Sequence, residues 1–258
     1  MRIVKAVAII PARLASTRLP AKALLRETGK YLIQHVCDQA AKARSLSDVI
    51  VATDDQRIVE AVRLFGGRAE MTRTDHVSGT DRIAEVAQRL DCDIVVNVQG
   101  DEPEIEPESI DLLVSMMEKS GGPSIATLAC PFPVGADPAD PNAVKVVCNE
   151  AGEALYFSRS KIPYPRGGQA EQSWWLHVGI YAYRRETLLE ISKLPPTGLE
   201  RTESLEQLRW LGHGYRIAVG RANRAAVGID TPEDYAAFVN RCRPPDAGSR
   251  TRPGSANG

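Results

Sequence analysis

The chain reads as an α/β protein built on a mostly parallel sheet. Three observations predict this. Short, continuously apolar runs recur along the first half, each flanked by a stretch with helical spacing. The runs end in polar loops rather than in two-residue hairpin turns. With 258 residues and 43% hydrophobic content, the chain is long enough to cover such a sheet on both faces.

Val4–Ile10 is the first strand candidate, followed by a helix over Leu32–Ala43 with Leu32, Val36, Ala40 and Ala43 inward. Asp48–Ala52 and Ile58–Phe65 form the next strand and helix, the latter stopped by Gly66 and Gly67. A short strand over Arg68–Met71, a helix over Arg82–Leu90, a strand over Asp93–Val98 and a helix over Glu108–Lys119 complete this half. Strand–helix alternation implies βαβ units. In such sheets ligands bind beyond the carboxyl ends of strands, so the loops after Ile10, Ala52 and Val98 should share one edge.

The pattern changes near residue 123. "AVKVVCNEAGEALYFS" alternates with period two on both sides of Asn149–Gly152 and reads as a β-hairpin. A Pro/Gly loop, a strand over His177–Tyr183 and helices over Glu186–Lys193 and Ser204–Leu211 follow. In "GIDTPED", Thr231 is the expected N-cap, with Pro232 at the first helical position. We expect one domain over 1–242, with a β-hairpin insertion at about 123–183. The apolar-poor tail 243–258 should be disordered.

Composition excludes several classes. Lys plus Arg total 32 and Asp plus Glu 33, so no net field favours nucleic acid or an acidic membrane surface. No run approaches the length of a membrane span. The apolar stretch Ala6–Ile10 is too short for a signal-peptide core. Five cysteines, an odd number and without C-x-x-C, suggest neither a disulfide framework nor a zinc ribbon, and fit a reducing cytoplasm. His35 follows helix spacing and reads as structural.

Candidate chemistry sits in the loops. The first strand runs into Arg13, Arg18 and Lys22 with no acid among them. Arg supplies forked hydrogen bonds and Lys a point charge, which suits a polyphosphate; a solvated basic turn is the alternative. Neither a Walker loop nor a Rossmann fingerprint is present. In "VNVQGDEPEI", Gly100 lets the chain turn and leaves Asp101 at the ligand edge, able to hold a hard divalent cation or simply to be solvated. Asp230 is not needed as a cap, so it is a second metal candidate or a support for the helix dipole. In "MTRTDHVSGTDR", Arg73, His76, Ser78 and Thr80 could read a base or ribose, or Ser78 and Thr80 could cap a helix.

Together, "IIPAR", "VATDD", "NVQGDEP", "PNAVKVV", "ALYFSRS", "IPYPR", "LEQLR" and "GIDTPED" resemble the 3-deoxy-D-manno-octulosonate (Kdo) cytidylyltransferases over residues 4–241. The resemblance implies a glycosyltransferase-A-like nucleotidyltransferase fold and a homodimer formed through the β insertion. It also implies transfer of CMP from CTP to Kdo for lipopolysaccharide biosynthesis, with Mg2+. By the same resemblance, Arg13 and Lys22 are catalytic triphosphate-binding cations. Asp101 and Asp230 are catalytic metal ligands, and Arg73 and Ser78 read the nucleotide. Gln99, Arg159, His177, Tyr181, Glu206 and Gln207 form the sugar pocket. An amino analogue of Kdo or a sialic acid as acceptor, a non-catalytic nucleotide-sugar sensor, and a glycosyltransferase are the competing readings. Three positions in two places depart from the family. Ala21 and Ala23 replace the Gly and Pro that usually flank the loop lysine, and Val227 stands where relatives often carry a hydroxyl. If the glycine served a positive φ, the loop should take another path here.

Overall fold

Strand β1 (Ala6–Ala12) lies at the centre of a computed structural model that describes residues 4–15, 18–119, 121–166 and 174–243. The expected disorder of the tail therefore falls outside the described residues. β1 pairs in parallel with β2 (Leu46–Thr53) on one side and with β4 (Ile94–Asn97) on the other. β3 (Arg68–Met71) adds in parallel to β2. The sheet continues through β8 (Trp175–Arg184), β5 (Ile125–Pro131) and β9 (Ala218–Arg221), in the order β3-β2-β1-β4-β8-β5-β9. β8 runs antiparallel to both neighbours, whereas β5 and β9 are parallel. The sheet is thus mostly parallel, with one reversed strand.

Side-chain alternation along β1 divides the core in two. Ala6, Ala8 and Ile10 pack with α1 (Leu32–Ala40), α2 (Gln56–Leu64) and α4 (Pro107–Glu118), through Val36, Val62 and Leu113 among others. Val7 and Ile9 pack with α3 (Gly79–Gln88), α5 (Arg185–Ile191) and α7 (Gln207–Gly212), through Val86, Leu188 and Trp210. A strand covered on both faces must be apolar throughout, which is why "AVAII" shows no alternation. A third cluster joins Leu19 and Leu32 to Ile229, Tyr235 and Phe238, and so docks α8 (Pro232–Cys242) against the loop after β1.

Several expectations shift. The β-hairpin insertion expected at about 123–183 is smaller than that span: β5 and β8 lie within the central sheet. Among the described residues, only the hairpin β6 (Lys145–Cys148) and β7 (Ala154–Ser158) stands off its path, where β6 pairs with β8. Gly152, at φ 78, supplies the left-handed residue in that hairpin's turn. The helix expected over Ser204–Leu211 begins later. A separate helix α6 (Gly198–Glu203) ends at Ser204, whose φ of 51 is left-handed and breaks the run before α7. β5 and β9 carry no clear sequence signal of their own.

Gly100 has a role other than turning. A Cβ there would stand 2.7 Å from the Pro11 carbonyl oxygen, a backbone atom that cannot swing away. The residue lets the ends of two strands touch. Gly100→Ala should destabilise the fold by about 1–3 kcal/mol, the usual cost of overpacking a tight contact. It should also lower turnover by shifting the segment before Asp101 away from Pro11. Denaturant unfolding with a matched activity assay checks both, and unchanged stability would show that the contact relaxes freely.

Candidate active site

The loops after β1, β2 and β4 emerge on one edge, as the parallel register requires. At that edge Lys22 is the centre of charge. It opens a short 3-10 turn, Lys22–Leu24, and its Nζ lies 2.7 Å from Asp101 Oδ2 and 3.1 Å from Asp230 Oδ1. It also donates to the Ile229 carbonyl at 3.1 Å. Burial would lower the Lys22 pKa, but attraction and hydrogen bonding to Asp101, then to Asp230, outweigh it and leave it raised. Arg18 reaches the other oxygen of Asp230 at 3.0 Å. Asp101 and Asp230, 129 positions apart, are thus brought together, and the Ile229 amide donates to the Asp101 carbonyl at 2.9 Å.

Local sequence explains each placement. Thr231 caps α8 in a reciprocal capping box with Asp234, so Asp230 is free to face Lys22. Ala21 adopts φ 52 and ψ 31. The loop therefore does not take another path: it keeps the left-handed residue before the lysine, with a Cβ present. That conformation costs an L-residue roughly 1–2 kcal/mol.

The nucleotide-reading candidates gather beside it. Arg13 Nη2 donates to the Val77 carbonyl at 3.2 Å, tying the loop after β1 to the loop after β3. His76 Nε2 meets Glu85 Oε2 at 2.6 Å, and the same oxygen accepts from the Arg73 amide at 3.0 Å. The Arg73 guanidinium is exposed and pairs with Asp75 at 3.1 Å. Arg73, His76 and Val77 line a groove of about 640 Å³ with Asp81 and Arg209. Ser78 is the N-cap of α3 in a capping box with Asp81, which employs its hydroxyl structurally. Thr80 is not a cap; its hydroxyl donates to Glu206 Oε2 at 2.5 Å.

Five of the six sugar-pocket candidates meet in one cavity. Gln99, His177, Tyr181, Glu206 and Gln207 line about 250 Å³, joined by Thr80, Asn97, Tyr183 and Trp210. Gln99 Nε2 donates to the Gly179 carbonyl at 2.9 Å. Thr127 gives its proton to the Ile180 carbonyl at 2.8 Å, so it accepts from His177 Nε2, 3.0 Å away. Burial pushes His177 down to about 3 and keeps the ring neutral. Burial also raises Glu206, against hydrogen bonds from Thr80 and Ser78. Asn97 Oδ1, Tyr181 and Tyr183 hydroxyls, Glu206 Oε1 and Trp210 Nε1 are buried without a hydrogen-bond partner of good geometry. Native interiors rarely leave such atoms unpaired, and five around one cavity mark a place for a polar ligand.

Arg159 departs from the group. It does not line the cavity; its guanidinium donates to the carbonyls of Glu203 (2.7 Å), Pro141 (2.8 Å) and Ser204 (3.3 Å). There it holds the turn that leads into Glu206. Two groups escaped sequence reasoning. Glu102 Oε2 is buried without a partner, and burial, then the charge of Asp101, pushes Glu102 up to about 8. Arg82 is fully buried and pairs with Asp54 at 2.7 Å. Arg82 abuts the apolar pair Ile83–Ala84, whereas Glu102, between Asp101 and Pro103, carries no such signal. The five cysteines are free thiols, and burial pushes Cys37 up to about 12, as packing thiols should be.

Known proteins complete the picture. The profile described as Cytidylyltransferase matches residues 7–217. The chain belongs to the cytidylyltransferase family. Among relatives of this cytidylyltransferase, the 3-deoxy-manno-octulosonate cytidylyltransferase of Geobacter sulfurreducens is 49% identical over 246 residues, covering 92% of this chain and 98% of its own length. The Escherichia coli protein of that name is 49% identical over 229 residues, covering 88% and 92%. A solved structure of CMP:2-keto-3-deoxy-manno-octonic acid synthetase complexed with CTP matches with a TM-score of 0.88 at 46% identity, covering 92% of this chain and 98% of that one. A Leptospira borgpetersenii cytidylyltransferase, at 18% identity and a TM-score of 0.61, shares the fold. This cytidylyltransferase is therefore a nucleotidyltransferase enzyme.

Folding favours neutral His177, whose free value is near 6.5. The group costs nothing above that pH. Stability is lost as pH falls from about 6.5 toward about 3, because only the unfolded chain takes up the proton. Between pH 7 and pH 5 the loss should be about 2 kcal/mol. Urea unfolding of the native protein and His177→Gln at both pH values checks this; equal losses in the two would place the titration elsewhere.

Proposed function

We propose that this chain transfers CMP from CTP to the anomeric hydroxyl of 3-deoxy-D-manno-octulosonate and releases pyrophosphate. The observation that carries the reading is a juxtaposition. Asp101, which joins Lys22 and Asp230 in one cluster, follows closely after Gln99, which lines a cavity whose buried polar atoms lack partners. The first half suits a triphosphate, the second a hydroxyl-rich acid sugar. The names of the relatives, at 46–50% identity, support this substrate pair.

In this reading the hydroxyl oxygen attacks the α-phosphorus, the bond to the β-phosphate oxygen breaks, and pyrophosphate leaves with the electron pair. Positioning and electrostatics supply most of the catalysis in such transfers. Arg13 and Lys22 meet the phosphates, while Arg73 and the loop that ends at Ser78 meet the nucleoside. Gln99, His177, Tyr181, Glu206 and Gln207 orient the sugar. Neutral His177 and the tyrosine hydroxyls suit uncharged hydroxyl groups. Arg159 would reach the sugar carboxylate only by releasing backbone carbonyls, so we assign it to holding the turn before Glu206.

Asp101 and Asp230 would hold Mg2+. Their oxygens and the Ile229 carbonyl already surround the Lys22 ammonium, an all-oxygen set of the kind magnesium prefers. Among the described residues no cluster of three or more His, Cys, Asp or Glu stands ready for a metal. That matches a site of two carboxylates completed by substrate phosphates. When bound, the ion would neutralise phosphate charge and lower the pKa of the attacking hydroxyl.

We place the protein in the cytoplasm, where CTP is available and free thiols persist. Among the described residues no helix is long and apolar enough to cross a membrane. The product would serve lipopolysaccharide assembly. A homodimer is the proposed assembly, and an apolar hollow of Phe132, Val134, Trp174 and Trp175 supports it.

Pyrophosphate release with each of the four nucleotides against Kdo, its 8-amino analogue and a sialic acid tests the reading. CTP with Kdo should dominate; equal turnover with UTP, or preference for sialic acid, would sink it. Asp101→Asn and Asp230→Asn should each lower turnover by at least ~10²-fold, the scale of one lost preorganised electrostatic element. Chelator should abolish activity, and magnesium or manganese should restore it.

A further inference from the structure

The place between Asp101 and Asp230 is held by the chain itself. Lys22 has three N–H donors, and all three have acceptors: Asp101 Oδ2, Asp230 Oδ1 and the Ile229 carbonyl. Its side chain is 18% exposed, less than either carboxylate, so the ammonium sits between them rather than outside. Arg18 occupies the remaining oxygen of Asp230. The carboxylates are anchored from behind. The Ile229 amide is bonded to the Asp101 backbone, and Ile229 and Leu19 share the third core cluster. The lysine, in contrast, sits on a flexible four-carbon stem at the end of a loop.

A magnesium ion needs oxygen atoms at about 2.0–2.1 Å in near-octahedral geometry. It cannot take the oxygens that the ammonium is using. The cations on the acids, Lys22 and Arg18, carry the charge that a triphosphate would attract.

We propose that Lys22 is an internal counterion that closes the metal site until the nucleotide arrives. The triphosphate draws Lys22 and Arg18 off the carboxylates, and Asp101 and Asp230 are then free for the metal. The inference rests on reading these two acids as magnesium ligands. It makes metal and nucleotide mutually dependent, each raising the affinity of the other by the same factor. A lysine that only tied two loops together would stabilise the fold without opposing the metal.

The test uses Mn2+ alone, titrated into the nucleotide-free full chain and followed by the electron paramagnetic resonance of the free ion. Lys22→Met should bind Mn2+ at least about ten-fold more tightly than the native protein, a coupling of ordinary size. Mn2+ should also raise its melting temperature, and leave that of the native protein unmoved. Lys22→Gln, which keeps hydrogen-bond donors and loses the charge, should show the same gain and serves if Lys22→Met does not fold. Asp230→Asn in the Lys22→Met background should remove the gain. Variants that bind no more tightly than the native protein, including no measurable binding by any of them, would overturn the counterion role. A double variant that keeps the tight site would instead overturn the metal reading. If the gain fails to appear but Asp230→Asn weakens Mn2+ in the ternary complex with CTP, only the counterion role falls.

Discussion

A strand buried on both faces can present chemistry only at its ends, and everything in this molecule depends on that constraint at β1. Its even and odd side chains are committed to two separate cores. Its parallel neighbours β2 and β4 point the same way, so their loops converge on the same edge. The close approach at Gly100 then brings Pro11 and the segment before Asp101 into backbone contact. That contact and the β1–β4 register hold the loop that bears Arg13 beside the turn that bears Asp101.

The reversed strand β8 gives the edge its second character. Because it runs antiparallel beside β4, its His177, Gly179 and Tyr181 face Asn97 and Gln99 and wall a cavity. Alternation puts His177, Tyr181 and Tyr183 together, the tyrosine rings stacked at 5.9 Å and both edged by Trp210. One side of the edge is charged and partly open; the other is a buried polar cavity. Desolvation keeps His177 neutral and raises Glu206, while Lys22 stays charged because two carboxylates surround it. The same burial thus has opposite outcomes, decided by whether a partner charge lies within reach.

Sequence reasoning reached what local rules govern. Thr231 with Asp234 is a capping box readable three residues apart, and it exposed Asp230 as a carboxylate without a local duty. "DIVVNV" announced a buried strand, but not that its Asn97 would line a polar cavity. The misses follow from forces that act at a distance. Ala21 takes a glycine's conformation because Leu19 and the Lys22 ion pairs fix the loop on either side, which no propensity reveals. Ser204 breaks a run that looks helical because Arg159 grips the carbonyls of 203 and 204. Arg159 has a cation's sequence signature and a clamp's position. Glu102 shares its string with Asp101, and only burial separates the two.

The third core cluster has a consequence for how the protein comes to be. Lys22 and Asp101 belong to the first half of the chain and can meet once β4 has joined β1. Asp230 and Ile229 reach them only when α8 docks through Tyr235 and Phe238. A ribosome releases the chain from the N-terminus, and early segments fold as they emerge. The sheet can therefore form around an unfinished cation cluster, and α8 completes it. Competence in this molecule is a property of the finished chain, so a product of interrupted synthesis would carry the fold without the site.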